Sequence, residues 1–318
     1  MTRGKGIKQL TFPIFFVATI FCASKLLLST SSGNLSAVHT NVSENLSRQM
    51  GHSSQETLVD ARRGVQQSYS NSTHFTPQII WQGLRPEGDI IFASCDGKYF
   101  QEHAAPFVSS ANVARNNAHI HVINPDVDTR ALMRDFSLRK LNISMTLSLE
   151  YTNLTSVDET TYFASNRFMI ASHLLDHVRR VMVLDIDCLI MSHIEFPQNI
   201  HLGLFLRESA PGTSGWVALG TKVAAGLVFV SRDSKEFLLG VQRRVFRHGL
   251  VWYVDQVALY EQYIDEGWEG NPRFLNFNNG DLDWEFTEGS KIWTGKGERK
   301  HSNSIYLEKK KEFAQMLV

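Results

Sequence analysis

Short apolar runs separated by polar turns make up most of the chain from residue 89 onward. Short uninterrupted runs are typical of buried strands, and longer periodic stretches are typical of helices. Because the two kinds alternate, the sequence predicts an α/β domain with one mixed, mainly parallel sheet flanked by helices. Strands are expected at 90–94, 119–123, 145–151, from 181, at 226–230 and near 274 and 292, and helices at 162–175, 234–247 and 253–264.

An apolar stretch near the amino terminus predicts a membrane anchor. Residues 10–28 carry one charge, Lys25, and at about 1.5 Å per residue they span roughly 28 Å, enough for a hydrocarbon core. Three basic residues lie within residues 1–9, which predicts a cytoplasmic tail there. A cleaved signal peptide is the alternative. The anchor implies a single-pass type II protein whose main domain is lumenal or extracytoplasmic, in the Golgi of a eukaryotic host.

A polar segment follows the anchor. Residues 29–84 are rich in Ser, Thr, Asn and Gln and lack a sustained apolar period, which predicts a flexible stem before a folded domain at 85–318. Asn-X-Ser/Thr sequons suit a lumenal surface in a eukaryotic host. They begin at Asn34, Asn41, Asn45, Asn71, Asn142 and Asn153.

Charge and cysteine content restrict the partners and the stabilising forces. The 318 residues include 32 basic and 32 acidic side chains, so there is no net field to attract nucleic acid and any anion site is local. The three cysteines, Cys22, Cys95 and Cys188, supply no disulfide framework. If neighbouring strands hold Cys95 and Cys188 their sulfurs could approach, but two buried free thiols are the expectation.

The strand predicted from Val181 ends in two carboxylates, Asp185 and Asp187. If the strand continued through Asp187, its period of two would direct both side chains to one face, where they could share a divalent cation. Two close carboxylates repel each other and must be neutralised by a cation, by protonation or by a basic partner. The alternative is that one caps a helix while the other is solvated. Because ligands of open α/β sheets bind beyond the carboxyl ends of the strands, Asp96 is expected to lie near this pair.

Several motifs in order resemble the GT-A fold glycosyltransferases, particularly the glycogenin and lipopolysaccharide galactosyltransferase family, over roughly residues 88–306. They are IIFASCDGKYF, TYFASNRFMIASHLL, the Asp185/Asp187 pair, AAGLVFV, Tyr-Val-Asp-Gln at 253–256 and KIWTGKGERK. The resemblance implies a Rossmann-like catalytic domain that transfers a sugar, with retention at the anomeric carbon.

The first two motifs imply contacts to a nucleotide. By resemblance, Asp96 holds the base, Tyr99 stacks on it, and Arg167 reaches the nucleotide from its helix. The alternatives are that Tyr99 packs the first helix against the sheet and that Arg167 forms an ordinary surface salt bridge.

The next three motifs concern the metal and the reacting sugar. The resemblance makes Asp185 and Asp187 ligands of Mn²⁺ or Mg²⁺, and places Asp255 and Gln256 beside the anomeric carbon as catalytic residues. Asp255 could instead complement a helix dipole. Ala224 stands where the family has Asn, which leaves the donor-sugar contacts open.

The last motif resembles the family's His-x-x-Gly-x-x-Lys loop over the diphosphate. Its glycines permit close backbone approach and its cations match phosphate oxygens, although a solvated basic turn is the alternative. The candidates are Gly295, Lys296, Gly297, Arg299 and Lys300. Aligned on Gly295, the family's metal-binding His falls at Ile292, so a third metal ligand must come from elsewhere, with His301, Asn278 and Asp281 as candidates.

The sequence therefore predicts a membrane-anchored, metal-dependent transferase that moves a sugar from a nucleotide donor, expected to be a UDP-sugar, to a hydroxyl of a glycan, lipid or protein. One alternative is a degenerate transferase that only binds nucleotide sugars or glycans. The other is a haloacid-dehalogenase phosphatase, with Asp281 and Asp283 as its later acids. Leu189 argues against it because that family has Thr there.

Overall fold

A computed structural model describes residues 77–154, 159–295 and 297–317. The predicted cytoplasmic tail, membrane anchor, most of the stem and Lys296 lie outside these ranges. Within them, no helix is both long and apolar enough to cross a bilayer. The anchor at 10–28 stays a prediction.

The described strands form two sheets. The main sheet has eight strands in the order β1-β4-β3-β2-β5-β8-β7-β9, and the small one has the order β10-β11-β6. The strands are β1 Ile80–Gln82, β2 Asp89–Asp96, β3 Ala118–Ile123, β4 Met145–Glu150, β5 Arg180–Leu184, β6 Cys188–Ile190, β7 Leu202–Leu206, β8 Val223–Ser231, β9 Phe274–Asn276, β10 Leu282–Asp283 and β11 Ile292–Thr294. In the main sheet β4, β3, β2 and β5 run parallel, and β1 and β8 run antiparallel to their neighbours.

Helices cover both faces of the main sheet. They are α1 Gly97–Val113, α2 Val127–Leu138, α3 Glu159–Leu174, α4 Gly215–Gly220, α5 Lys235–His248, α6 Val254–Asp265, α7 Arg299–Ser302 and α8 Ser304–Gln315. The side chains of α1 and α2 join one buried cluster, and those of α3, α5 and α6 join the other. This confirms the predicted α/β class with a mixed, mainly parallel sheet.

The apolar alternation along the strands builds the two cores. In β2, Ile90 and Phe92 face the α3 side, while Ile91 and Ala93 face the α1 side. Successive side chains of a strand point to opposite faces, so a continuous apolar run fills both layers at once. The uninterrupted runs noted in the sequence therefore mark strands that are covered on both faces.

The strand order fixes where a ligand can bind. The chain moves outward from β2 to β3 and β4, then returns to place β5 on the other side of β2. This reversal is a topological switch point, and the crevice beyond the carboxyl ends of β2 and β5 is the usual ligand site of such sheets. Asp96 ends β2 and Asp185 directly follows β5.

Two boundaries differ from the sequence prediction. Ile80–Gln82 lies in the segment assigned to the stem, yet it pairs with β4 in the main sheet. A three-residue edge strand is held by backbone hydrogen bonds and needs no apolar period. The strand from Arg180 ends at Leu184, so Asp185 and Asp187 lie in a turn that a Cys188 N to Asp185 O hydrogen bond of 3.0 Å closes.

Other predictions can be placed on the described surface and core. Cys95 and Cys188 are buried free thiols, as expected. Burial raises the pKa of both, which keeps them as unreactive thiols. The sequon residues Asn142 and Asn153 are exposed. The other four sequons lie outside the described residues.

We expect the stability of the domain to fall as the pH is lowered from about 6.5 to about 4, and His103 of α1 to contribute. Its pKa is lowered to about 4 because burial, with the nearby Lys310, Lys300 and His301, opposes protonation, while Glu102 favours it. The unfolded chain takes up the proton near pH 6.5, so protonation there favours unfolding. A shift of this size corresponds to about 3 kcal/mol.

Urea unfolding of wild type and His103→Gln at pH 7 and pH 4.5 measures this contribution. Other acids and histidines titrate in both proteins, so the difference between them isolates His103. The variant should lose less free energy of unfolding between the two pH values than wild type does. An equal loss in both proteins contradicts the assignment.

Candidate functional site

Asp185 and Asp187 lie in the turn after β5, at the switch point. The side chain of Asp185 is 40% exposed and that of Asp187 is 12% exposed. The pKa of Asp187 is raised to about 6 by burial and by the charge of Asp185, against the opposing effect of Lys300. The two carboxylates are therefore close enough to interact, although no continuous strand carries them. Their charge is only partly compensated, as a cation site requires.

Arg167 from α3 holds one side of this pair. Its guanidinium donates to Asp185 Oδ1 and, at 3.1 Å, to Asp255 Oδ2 of α6. Burial lowers the pKa of Arg167, but the two carboxylates outweigh it and raise the pKa. Since Arg167 is buried, the alternative of a surface salt bridge is wrong. Arg167 instead fixes the orientation of Asp185 from beneath.

Lys300 from α7 holds the other side. Its Nζ lies 3.5 Å from Asp187 Oδ2 and 2.8 Å from the Tyr99 hydroxyl, and 4.8 Å from the centroid of the Tyr99 ring. Tyr99 is 36% exposed, so it does not serve to pack α1 against the sheet. The structure thus brings Tyr99, Asp187 and Lys300 together across 201 positions of sequence.

The carboxyl-terminal helix supports the acidic turn from below. Tyr306 of α8 is fully buried, and its hydroxyl donates to the Asp187 backbone oxygen at 2.6 Å. A Cβ added at Gly295 would lie 2.8 Å from the Tyr306 ring and 2.5 Å from Lys300 Cβ. Gly295 therefore lets the loop approach closely enough to seat Lys300. The sequence analysis missed Tyr306, because an aromatic residue in an amphipathic helix looks like ordinary core.

Asp96 caps α1 at the same edge of the sheet. Its Oδ1 accepts a hydrogen bond from Tyr99 N at 2.7 Å, which satisfies one of the free amides of the helix. This cap sets the start of α1 and thereby directs Tyr99 toward Lys300. Asp96 and Tyr99 are thus coupled through local backbone geometry.

Asp255 and Gln256 lie in the first turn of α6. Asp255 is buried and bound to Arg167, so it acts on the acidic pair through that residue rather than only on the helix dipole. Gln256 lies against the carbonyl oxygens of Gly220 and Val223, and its amide nitrogen donates to them at 3.0 and 2.8 Å when oriented to satisfy both. It thereby ties α6 to the start of β8.

The loop after β11 reaches the site through Lys300. Gly297 has a φ of +63°, a conformation that glycine adopts without strain. Arg299 instead turns away and donates to Glu285 Oε1 at 2.6 Å and to the Trp284 carbonyl at 2.9 Å. Lys300 therefore contacts the acidic turn, whereas Arg299 of the same loop does not.

The register of this loop differs from the one taken in the sequence analysis. Lys300 reaches Asp187, and it lies three residues after Gly297, not after Gly295. The matching position three residues before Gly297 is Thr294, which pairs with Cys188. Aligned on Gly297, the ligand position would fall at Thr294 instead of Ile292, because the chain contains two glycines and the sequence alone does not choose between them.

The two carboxylates suit a divalent cation. Asp187 is a buried acid with a raised pKa, and hard cations prefer such oxygen ligands. Within the described ranges, no group of three His, Cys, Asp or Glu side chains could hold a metal. Among the described acids, Asp185 and Asp187 are therefore two candidate ligands.

Two of the proposed third ligands, Asn278 and Asp281, lie in another turn together with the phosphatase acids, whereas His301 lies beside Lys300 in α7. Asp281 pairs with Lys291 at 2.8 Å, and Asn278 Oδ1 accepts from Gly280 N at 2.7 Å within the same turn. Asp283 is buried and accepts from the backbone amides of Glu285 and Thr287. These residues stabilise the turn between β9 and β11, which argues against the phosphatase alternative.

A cavity of about 780 Å³ opens at the opposite, amino edge of the main sheet. Among its charged groups, Arg180 is paired with Asp89 and Lys291 with Asp281. The acidic turn is the better candidate because it lies beyond the carboxyl ends of β2 and β5, where ligands of such sheets bind, and because its residues converge from several elements.

Replacing Gly226 of β8 with alanine is expected to lower any catalytic activity that uses Asp185 about 100-fold, because small displacements of a reacting group have effects of that size. A Cβ at this position would lie 2.5 Å from Asp185 Oδ2, so the carboxylate must rotate away. Steady-state kinetics measure the change. In an Asp185→Ala background the same substitution should have no further effect, and a full additional loss there contradicts the assignment.

Solved glycosyltransferase structures resemble this chain. An active-site mutant of LgtC matches with a TM-score of 0.50 and 14% identity over 72% of this chain and 96% of that chain. The galactosyltransferase LgtC in complex with donor and acceptor sugar analogues gives 0.48 and 15% with the same coverage. The glycosyltransferase GlyE of Streptococcus pneumoniae TIGR4 gives 0.43 and 12%, over 72% of this chain and 63% of that chain.

No protein-family model matches the chain, and no curated protein matches it in sequence. At the identities of the structural matches, the likeness extends to the fold alone. The match to the LgtC mutant agrees with the GT-A arrangement that the motifs predict.

Proposed function

We propose that this chain is a metal-dependent glycosyltransferase that moves a sugar from a UDP-sugar to a hydroxyl of a glycan, lipid or protein, with retention at the anomeric carbon. The observation that carries the proposal is the convergence of Asp185, Asp187, Lys300 and Tyr99 at the switch point of an α/β sheet. The acids suit a cation, and the ammonium and the ring suit the diphosphate and the base of a nucleotide.

In this proposal some residues bind the base of the nucleotide and others bind its diphosphate. Asp96 accepts hydrogen bonds from the base, on which Tyr99 stacks. Asp185 and Asp187 hold Mn²⁺ or Mg²⁺, which neutralises charge on the departing diphosphate when it is bound. Lys300 donates to a diphosphate oxygen, and the remaining loop candidates Lys296, Gly297 and, after release from Glu285, Arg299 close over it.

The transfer itself needs no strong base. The acceptor oxygen forms a bond to the anomeric carbon, the bond from that carbon to the diphosphate oxygen breaks, and the acceptor proton passes to the departing diphosphate. Arg167 and Asp255 keep Asp185 in place during this step. Gln256 positions the start of α6 beside the sugar.

The proposal extends to where the chain acts. An anchor at residues 10–28 and a stem that ends before Ile80 would place the catalytic domain on the lumenal side of a membrane, in the Golgi of a eukaryotic host. The exposed sequon residues Asn142 and Asn153 support this compartment. Mass spectrometry of glycopeptides from the expressed chain tests it, and the absence of glycan at both sites contradicts it.

A screen of nucleotide sugars tests the activity. We expect release of free nucleotide from one UDP-sugar in the presence of Mn²⁺, and loss of this release when a chelator is added. Turnover that is equal with and without the metal contradicts the metal assignment. No turnover with any nucleotide sugar or acceptor contradicts the enzyme assignment.

A binding protein without activity is the second candidate. It is motivated by the ion pairs that both acids already form with basic side chains, Asp185 with Arg167 and Asp187 with Lys300. Calorimetry with UDP and Mn²⁺ beside the turnover assay separates the two. Binding without hydrolysis or transfer favours the receptor.

A further inference from the structure

Arg207 opens on the same edge of the sheet as the acidic turn. It directly follows β7, and both β7 and β5 pair antiparallel with β8, so their carboxyl ends point the same way. The Arg207 backbone amide donates to the Lys222 oxygen at 2.8 Å, which fixes the position of the residue. Its side chain therefore starts beside the site but two strands away from Asp185.

The guanidinium of Arg207 has no acidic partner among the described residues. Its Cζ lies 5.7 Å from the ring centroid of Trp284, which in turn stacks on Phe205. Its Nε is buried and makes no hydrogen bond within the described part of the chain. By contrast, the buried guanidiniums of Arg167 and Arg180 each contact a carboxylate.

A half-buried guanidinium without an acidic partner is costly, because water is removed from the charge and only the Trp284 ring replaces it. Burial lowers the pKa of Arg207, and the phenol of Tyr253 only partly opposes this effect. An anion placed against the exposed side of the guanidinium would supply the missing partner. The planar fork of arginine matches a carboxylate with two parallel hydrogen bonds.

The diphosphate of the donor is not the anion that this position favours. Adjacent strands lie about 4.8 Å apart, and Asp185 lies level with Gly226 of β8 whereas Arg207 lies level with Lys222, four residues further along, so the two residues start roughly 16 Å from each other. The diphosphate belongs near Asp187 and Lys300, on the β2 side of Asp185. The β8 residues between the two positions are small, Ala224 and Gly226, and leave room for a sugar ring.

We propose that Arg207 binds a carboxylate of the substrate, carried either by the transferred sugar or by the acceptor, so that this site selects an acidic sugar. The inference rests on the proposed function, because it needs a sugar between the acidic turn and Arg207. It assigns a specificity-determining role to a residue that none of the sequence motifs contains.

Binding measurements with matched sugars test the proposal in two arms. The donor arm compares UDP-glucuronate with UDP-glucose in the presence of Mn²⁺, and the acceptor arm compares methyl glucuronide with methyl glucoside in the presence of UDP and Mn²⁺. We expect the charged sugar to bind about 10- to 100-fold more tightly in one arm, the range of a charge-assisted hydrogen bond. The arm that shows it identifies the source of the carboxylate.

Arg207→Met keeps the length of the side chain and removes the charge. It should abolish the preference for the charged sugar while changing affinity for the neutral sugar less than about threefold. Arg179→Met, at the opposite edge with a side chain that is 70% exposed, is the control and should keep the preference. Unfolding curves of both variants exclude a loss of fold.

Equal affinity for charged and neutral sugars in both arms overturns the proposal, as does an undiminished preference in Arg207→Met. Failure of the proposed function has a different result. In that case UDP and the UDP-sugars do not bind, while any Arg207-dependent binding of methyl glucuronide persists.

Discussion

Replacing Asp187 with asparagine is expected to reduce Mn²⁺-dependent release of nucleotide at least about 1,000-fold, since a bound cation contributes several kcal/mol to the transition state and each 1.4 kcal/mol is a factor of ten. Asparagine keeps the shape of the side chain but offers the cation a neutral oxygen. It also removes the charge that faces Lys300. The measurement is the rate of nucleotide release over a Mn²⁺ titration.

The same substitution should leave the fold intact. The pKa of Asp187 is raised to about 6, so its ionised form is disfavoured in the folded protein and opposes stability as the pH rises from about 4 to about 6. At pH 7 the variant should therefore unfold at a urea concentration at least as high as wild type does. Asp176→Asn, an exposed acid paired with Lys235, is the control and should keep full activity. Full activity in Asp187→Asn would end the metal assignment.

Replacing Arg167 with methionine is expected to lower the free energy of unfolding by about 3–5 kcal/mol, the usual cost of removing one partner from a buried ion pair. Arg167 bonds to both Asp185 and Asp255. Most of the cost should come from Asp255, whose side chain is 11% exposed, because the 40% exposed Asp185 can recover water. Urea unfolding at pH 7 measures the loss.

A second substitution separates the two carboxylates. Asp255→Asn in the Arg167→Met background should recover part of the stability, because it removes the buried charge that has lost its partner. Arg179→Met, which removes an exposed partner of Asp89, should change the free energy of unfolding by less than about 1 kcal/mol. A loss in Arg167→Met no larger than in this control contradicts the buried role.

The sequence pattern identified most of the fold because strands that are buried on both faces consist of uninterrupted apolar residues. The runs at β2, β5 and β8 are largely apolar on both faces, and the structure covers both faces with helices. β1 was missed since its pairing rests on backbone hydrogen bonds. The end of β5 was not predicted because Asp185 and Asp187 continue the alternation of the strand in the sequence. In the structure the chain turns at these residues.

The candidate site was recoverable only in part. Asp185, Asp187, Arg167 and Tyr99 carry motif information, and the structure places them at one edge of the sheet. Because the loop after β11 contains two glycines, Gly295 and Gly297, the sequence alone did not show which of its basic residues would reach the acidic turn. In the sequence, Tyr306 looks like any other aromatic residue of the hydrophobic core.

By itself the sequence determined the class of fold, the strands that form its centre and the acids at the end of one of them, because hydrophobic period and local spacing act between near neighbours in the chain. Only the tertiary structure decided that Lys300 meets Tyr99 and Asp187, that Asp255 reaches Asp185 through Arg167, and that Arg207 lies against Trp284 with no acidic partner among the described residues. These contacts depend on strand order and helix packing, which bring together residues whose separation along the chain carries no record of their distance in space.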